Sequence, residues 1–314
     1  MLAYLLRRFG LAAVIVVVAV SLLYSMIHMV PGDPASIVLG PRATPEMRDE
    51  IRQRLGLDDP LPLQLLHYFG DVLRGDLGTD LFTGRPVAAI VFEQLPHTLW
   101  LIGGAIVWAV ALGIPLGCLS ALKRGSRMDR AAGVASVTCI ALPAFVVALA
   151  AQFTIAVKLG WLPAIGVGEP GELGDQLRHL VLPAFALGLG WVGYVARLLR
   201  ASMIEELAAG HVKNARAFGL PERTIVSRYA LRVAILPTVT ILGAGVGGLL
   251  SGAVLAEIVF ARPGIGKLIY DAVSTRNYPV VMGGVLVSTV FFVLSTAAAD
   301  TVNAILDPRL REPE

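Results

Sequence analysis

Two glycine-rich strings are the first candidates for nucleotide chemistry, and neither has the required pattern. Gly264-Ile265-Gly266-Lys267 ends like a phosphate-binding loop, but its first glycine has the wrong spacing for Gly-x-x-x-x-Gly-Lys-Ser/Thr. Residues 188–193 have the Gly-x-Gly-x-x-Gly dinucleotide spacing, but they lie inside an apolar stretch without a preceding strand. We therefore expect this chain to bind no nucleotide cofactor and to have no catalytic residue and no enzymatic activity by itself.

The two cysteines also lack a catalytic or metal-binding pattern. Cys118 and Cys139 both lie inside apolar stretches, far from each other and without the spacing of metal ligands. We interpret them as small residues that pack within a membrane, and we predict no metal site.

The composition indicates a membrane protein. Hydrophobic residues make up 56% of the 314 residues and charged residues only 16%, against about 25% charged in soluble domains. The net charge of +3 is small, and no basic patch carries interleaved aromatic residues, so a nucleic-acid partner is not expected.

Six apolar stretches can each cross a hydrocarbon core of about 30 Å at about 1.5 Å per helical residue. The alternation typical of barrel strands is absent, so we predict an all-α integral membrane protein with six transmembrane helices. We interpret the first stretch as a retained helix, because it exceeds the roughly 7–15 apolar residues of a secretory signal. Prolines inside four spans predict local kinks or helix starts. The predicted spans are 9–30, 98–122, 133–157, 178–199, 233–257 and 281–306, and the prolines are Pro115, Pro143, Pro183 and Pro237.

The distribution of basic residues predicts the orientation. The short loop 123–130 contains four Lys and Arg residues, which is typical of a cytoplasmic loop. Both termini are then cytoplasmic, and residues 31–97 form an extracytoplasmic insertion with its own structure. We expect helices over 45–56, capped by Thr44, and over 61–74. The predicted domains are the first helix (1–30), the insertion (31–97) and a transmembrane core (98–314) with a cytoplasmic loop over 200–232.

The most informative segment of the chain is residues 204–237, which begins in that loop. Apolar or small residues recur near helical spacing, and Gly219 stops the pattern as a helix C-cap does. This pattern predicts an amphipathic helix that projects into the cytoplasm, where the small residues Ala215 and Gly219 would let another protein's backbone approach. An ordinary solvated loop is the alternative. The apolar or small positions are Ile204, Leu207, Ala208, Val212, Ala215 and Phe218.

The loop resembles the coupling loop of ABC-importer permeases, and more narrowly that of the dipeptide/oligopeptide/nickel branch. The general pattern begins with Glu-Ala-Ala, whereas this chain has Lys213-Asn214-Ala215, so the acidic residue is missing. The branch commonly shows that departure, and its Ala-Arg-Ala core matches residues 215–217. Pro237 follows Gly219 at the spacing of the family.

Further matches to the B-type permease subunit of that branch follow in order along the chain. One of them alone would be weak, but their order and spacing together are specific. They are Arg7 and Arg8, Pro31 to Pro34, Leu55 to Leu57 with Pro60, Gly75 to Gly78, Gln94 to Thr98, Glu257 to Phe260, Arg262 to Gly266, Asn277 to Pro279, and Asp307 to Arg309.

The resemblance implies a multi-pass protein of the bacterial cytoplasmic membrane. It would pair with a second, homologous permease subunit as a heterodimer in membrane lipid. Two separate ATPase subunits would bind ATP and Mg, and an extracytoplasmic solute-binding protein would deliver the peptide. The implied ATPase-coupling loop is His211, Val212, Lys213, Asn214, Ala215, Arg216, Ala217, Phe218 and Gly219.

A second candidate site lies near the outer end of the fifth span. Glu257 could help form an outer gate with the residues that follow it, or it could be an interfacial acid that stays hydrated. The candidate gate residues are Glu257, Phe260, Pro263, Gly264 and Gly266.

Three other functions fit parts of the pattern. A permease for nickel or another small solute would belong to the same family, and the sequence alone does not separate these substrates. An ion-coupled secondary transporter usually needs several ionisable groups near the membrane midplane, and none is found there. A membrane scaffold would not need the family motifs.

Overall fold

In a computed structural model of the chain, residues 2–29, 44 and 59–306 are described. They are almost entirely helical, and within these ranges the one strand-like pairing is an isolated bridge between Thr79 and Pro86. The all-helical class is confirmed, while the helix predicted over 45–56 lies outside the described residues. The helices are α1 Leu2–Met29, α2 Leu61–Leu73, α3 Val87–Leu122, α4 Arg127–Ala141, α5 Ala144–Ala151, α6 Leu173–Ala208, α7 Gly210–Ala217, α8 Glu222–Thr224, α9 Leu231–Ala234, α10 Leu236–Ala244, α11 Val246–Val259, α12 Ile265–Ser274 and α13 Tyr278–Leu306, with π-helical segments at Gln152–Lys158 and Ile225–Ala230.

Four helices of the described part are long and apolar enough to span a membrane without a break. They are the helices α1, α3, α6 and α13. Two further candidates are bent pairs: Arg127–Ala141 with Ala144–Lys158, at 99°, and Glu222–Ala234 with Leu236–Ala244, at 40°. The described residues therefore provide up to six spans if each bent pair counts as one.

The predicted kinks or helix starts are confirmed at two prolines. The third span bends at Pro143, which lacks an N–H group and directly precedes α5. In the fifth span, Pro237 lies in the first turn of α10, but a further break at Gly245, where α11 begins, was not predicted. The start of the second span also differs. The helix of the second span begins at Val87 rather than at residue 98. Residues 87–97, which were predicted to belong to the insertion, are therefore part of this helix. By contrast, α3 and α6 run through their prolines without a break.

One compact unit comprises residues 1–97 and 263–293. The helix predicted over 61–74 is confirmed as α2, whose Gln64 accepts a hydrogen bond from the Tyr24 hydroxyl of α1 at 2.7 Å. The loop before α3 is held by Asp80, which accepts hydrogen bonds from the Phe82 backbone at 2.7 Å and from Asn277 Nδ2 at 3.0 Å. These contacts join α2 to α1, and the loop before α3 to the start of α13.

The other compact unit comprises residues 98–262 and 294–314, and α6 packs closely against α3 and α4 within it. A Cβ atom at Gly188 would lie 2.5 Å from the carbonyl oxygen of Ala105, and one at Gly193 would lie 2.4 Å from that of Ser136. Glycine is therefore required at both positions, because the helix backbones approach closely there.

Candidate functional site

The candidate coupling segment is built as a short helix that follows the long helix α6. Helix α6 ends at Ala208, and Ala209 is extended, with φ −67° and ψ 154°. Helix α7 then covers Gly210–Ala217. The sequence pattern predicted one helix from residue 204. In the structure, this pattern covers the end of α6 and the whole of α7.

Two side chains attach α7 to the rest of its unit. Val212 is fully buried and Ala215 is 4% exposed. They pack in one cluster with Leu199 and Met203 of α6 and with Ile225 of the following π-helical segment. The predicted apolar face is confirmed at Val212 and Ala215, and the short helix is braced by helices on both sides of it.

The exposure of Phe218 and of Ala215 differs from the prediction. Phe218, expected on the apolar face, is 86% exposed. Ala215, expected to present a small surface to another protein, is buried against its own chain. The physical reason is the end of α7, since Phe218 lies at its C-cap, beyond the helical periodicity. The exposed residues are His211, Lys213, Asn214, Arg216, Ala217, Phe218 and Gly219.

Gly219 ends the helix in a conformation that favours glycine. Its φ is +75°, in the left-handed region. Its N–H donates to the carbonyl of Arg216 at 2.9 Å, and the N–H of Leu220 donates to that of Ala215 at 3.3 Å. A Cβ atom at Gly219 would meet no heavy atom within 4 Å. The predicted end of the helix at Gly219 is confirmed, with Gly219 as the left-handed residue directly after the C-cap Phe218, and its outer surface is open.

An ion pair closes the turn that follows. The Arg216 guanidinium donates to both carboxylate oxygens of Glu222, at 2.7 and 3.2 Å. These hydrogen bonds raise the pKa of Arg216 above its usual value. His211 lies 3.6 Å from Glu206 at the other end of α7. Polar contacts therefore fix both ends of α7, and the buried side chains of Val212 and Ala215 fix its centre.

The candidate outer gate divides between the two compact units. Glu257 and Phe260 belong to the unit with α6, whereas Pro263, Gly264 and Gly266 belong to the other. Glu257 is 1% exposed, and its carboxylate accepts a hydrogen bond from Thr98 Oγ1 at 2.6 Å. The alternative of a hydrated interfacial acid is therefore wrong for this structure.

Phe260 is also buried, at 1% exposed, in a cluster with Val147, Ala151 and Leu182. Its carbonyl accepts a hydrogen bond from the Gly166 N–H at 2.9 Å. This contact ties the end of α11 to the loop that precedes α6.

The three remaining gate candidates lie at the start of α12. Gly264 is extended and precedes the helix, and Gly266 is buried within its first turn. Pro263, which precedes them, is half-buried. The two glycines have no side chain, so they can contribute only backbone.

Sequence reasoning gave no role to Arg262, which is 4% exposed. Its Nη1 donates to the carbonyls of Gly166 and His179, at 3.3 and 3.2 Å. Burial lowers the pKa of Arg262, and the negative charge of Glu257 opposes that shift. The sequence did contain a signal for this residue. Arg262 closely follows an apolar stretch and belongs to the motif Arg262 to Gly266 that resembles the family.

A second missed cluster lies at the start of α4. Arg200 donates to both oxygens of Asp129, at 2.7 and 2.8 Å, and Ser120 Oγ and the Gly125 N–H also donate to this carboxylate. Ser126 caps α4 by accepting from the Asp129 N–H at 3.2 Å. A Ser followed three residues later by an acidic residue is a recognisable helix start and was the available signal.

Together, the helices and the braced, exposed tip define a multi-pass membrane protein with a candidate docking segment for another protein. Two family models cover the chain. Residues 113–312 match the binding-protein-dependent transport system inner membrane component, and residues 1–102 match the N-terminal part of such membrane components. The chain therefore belongs to this family and is a permease subunit of an ABC importer in the bacterial inner membrane.

Individual relatives agree with the family. The chain is 37% identical to the glutathione transport system permease protein GsiC of Salmonella choleraesuis, over 99% of both chains. It is 36% identical to GsiC of Escherichia coli K12, again over 99% of both. Two inward-facing structures of the MetNI methionine ABC transporter resemble its fold. Their TM-scores are 0.58 and 0.55, with 17% and 19% identity, over 69% of this chain and 95% and 96% of theirs.

Proposed function

We propose that the chain forms half of a translocation pathway for peptides, and that α7 with Phe218 and Gly219 receives the motion of a separate ATPase. The observation that carries this proposal is the 86% exposure of Phe218 at the tip of a braced helix. A large aromatic side chain held outside its own fold offers apolar area to a partner, and aromatic residues are enriched in the centres of protein interfaces.

The contacts of α7 suit the transmission of force. A push on the tip reaches Val212 and Ala215, which are packed against α6 on one side and the segment 225–234 on the other. Closely packed interiors deform little, so displacement of α7 moves these neighbours with it. The exposed Lys213 adds positive charge beside the apolar tip, whereas the charge of Arg216 is balanced by Glu222.

The remaining parts of the proposed assembly follow the family. A second, homologous permease completes the pathway, and two ATPase subunits bind ATP and Mg, so this chain is the non-catalytic subunit. With six spans, both termini would lie on the same side of the membrane, and the basic loop 123–130 supports the cytoplasmic side. The insertion 31–97 helps to dock an extracytoplasmic solute-binding protein, and Glu257, Phe260, Pro263, Gly264 and Gly266 contribute to an outer gate.

Peptides are the proposed substrates because two of the relatives named above transport glutathione according to their names, and glutathione is a small peptide. Selectivity would rest largely with the solute-binding protein. The pathway through the membrane then needs few specific side chains.

Site-directed cross-linking tests the coupling contact. In a chain with Cys118 and Cys139 replaced by serine, Phe218→Cys should cross-link to an ATPase subunit of the purified assembly. Leu173→Cys is the matched control, because Leu173 is also exposed, at 70%, and lies on the predicted outer side. The control should react only with a reagent added from outside. Outside labelling at position 218, or no ATPase cross-link there, would contradict the proposal.

A further inference from the structure

A groove of about 530 Å³ lies where α4, α6 and the end of α3 meet. It is within one compact unit, at the end of the helices that the basic loop 123–130 places in the cytoplasm. Its walls are of two kinds. Leu116, Val134 and Val137 give an apolar surface, and Arg130, Arg197 and Arg200 give a basic one.

Within the described part of the chain, the basic side of the groove is only partly neutralised. Arg200 is engaged by Asp129 through two hydrogen bonds of 2.7 and 2.8 Å. Arg130 and Arg197 are exposed, and neither side chain has a hydrogen bond or ion pair within the described part of the chain. With three arginines and one aspartate, the lining has a net charge of +2. Two guanidinium groups are therefore available to an anion.

The apolar side of the groove has the depth of a lipid leaflet. Along α4, the lining runs from Arg130 to Thr138. The eight helical rises between them, at about 1.5 Å each, give about 12 Å, close to the roughly 15 Å of one leaflet of a 30 Å hydrocarbon core. A free phosphate ion would leave this apolar wall empty, whereas an acyl chain would cover it.

We propose that this groove binds an anionic phospholipid of the inner leaflet, with the phosphate between Arg130 and Arg197 and an acyl chain along Leu116, Val134 and Val137. Basic pockets between transmembrane helices on the cytoplasmic side suit such headgroups. The inference rests on the predicted orientation but not on the coupling contact at Phe218. The bound lipid would bridge α4 and α6, the helix that leads into α7.

Native mass spectrometry of the purified full chain, titrated with phosphatidylglycerol or phosphatidylcholine, tests the headgroup. Phosphatidylglycerol should bind tighter. The double variant Arg130→Gln with Arg197→Gln should weaken its binding about thirtyfold, since each basic side chain near an anionic surface contributes roughly fivefold. The control Arg223→Gln with Arg228→Gln removes two exposed arginines outside the groove and should change little. Equal binding of the two lipids, or full binding by the groove variant, would overturn the proposal.

Gly133→Leu tests the apolar wall. Gly133 lines the groove, and a Cβ atom there meets no heavy atom within 4 Å, so a larger side chain has open space where it leaves the backbone. This variant should elute like the unaltered chain in gel filtration and bind less phosphatidylglycerol. Millimolar inorganic phosphate should not displace the lipid, and displacement would indicate an ion site only. Cross-linking of Val134→Cys to the second permease subunit would assign the groove to a protein contact and refute the lipid.

Discussion

Substitution at Gly219 separates a contact with another protein from an effect on the chain's own fold. The φ of +75° costs a residue other than glycine about 1–2 kcal/mol. No heavy atom of the described part of the chain lies within 4 Å of a Cβ atom there, so a side chain meets no clash where it leaves the backbone. Gly219→Ala and Gly219→Trp should therefore lose similar stability. Gly219→Asn should lose less, because asparagine tolerates the left-handed region.

The effect of these variants on ATP-driven uptake should not follow their effect on stability. The tryptophan side chain projects from the open tip toward the proposed ATPase surface, whereas alanine adds one methyl group. We expect the alanine and asparagine variants to keep most ATP-driven uptake and the tryptophan variant to lose it. The chain's unfolding midpoint should be nearly the same for alanine and tryptophan.

The assay is uptake of radiolabelled glutathione and a dipeptide into proteoliposomes that contain the purified assembly and its binding protein, with ATP hydrolysis measured in parallel. Normal uptake by Gly219→Trp would refute the contact. Equal losses in Gly219→Ala and Gly219→Trp would instead assign the effect to the backbone of the C-cap.

Three further predictions concern stability in detergent. Phe260→Ala should lower the free energy of unfolding by about 3–5 kcal/mol, because it empties a buried site, and Phe260→Leu should cost less. Thr98→Val should cost about 1.5–3 kcal/mol by removing a hydrogen bond to the buried Glu257, and Thr98→Ser should restore most of it. Burial alone would raise the pKa of Asp80, but hydrogen bonds from Phe82, Thr83 and Asn277 lower it below its usual value. The ionised Asp80 therefore stabilises the fold above its unfolded pKa of about 3.9. The difference in unfolding midpoint between the unaltered chain and Asp80→Asn should disappear as the pH falls through the lower pKa that Asp80 has in the folded chain. A difference that stays constant with pH would contradict this prediction.

The sequence predicts the helical class and the C-cap at Gly219 because both depend on local chemistry. A membrane-spanning helix can be recognised from the length and composition of an apolar run. A helix end can be recognised from a glycine that closely precedes a proline, as Gly219 precedes Pro221. The bend at Pro143 follows from the same kind of signal. The break at Gly245 was missed, because glycines are frequent throughout that stretch and none is distinguished by its neighbours.

The buried polar contacts could not be predicted in the same way. Thr98 and Glu257 are far apart in the chain, and so are Asp129 and Arg200, so only the tertiary fold brings each pair together. The exposure of Phe218 was missed for a related reason. Helical periodicity assigns a face to every residue of a helix, but it fails at the residue where the helix ends.

The close packing of α6 fits the proposed role in coupling. A subunit that received force at α7 would need a stiff connection from there into the membrane helices. At Gly188 and Gly193, α6 approaches α3 and α4 so closely that no side chain fits between the backbones. At its other end, α6 shares a buried cluster with Val212 of α7. If the tip is pushed, α6 has little freedom to absorb the displacement by itself, so the movement must spread to the helices packed against it.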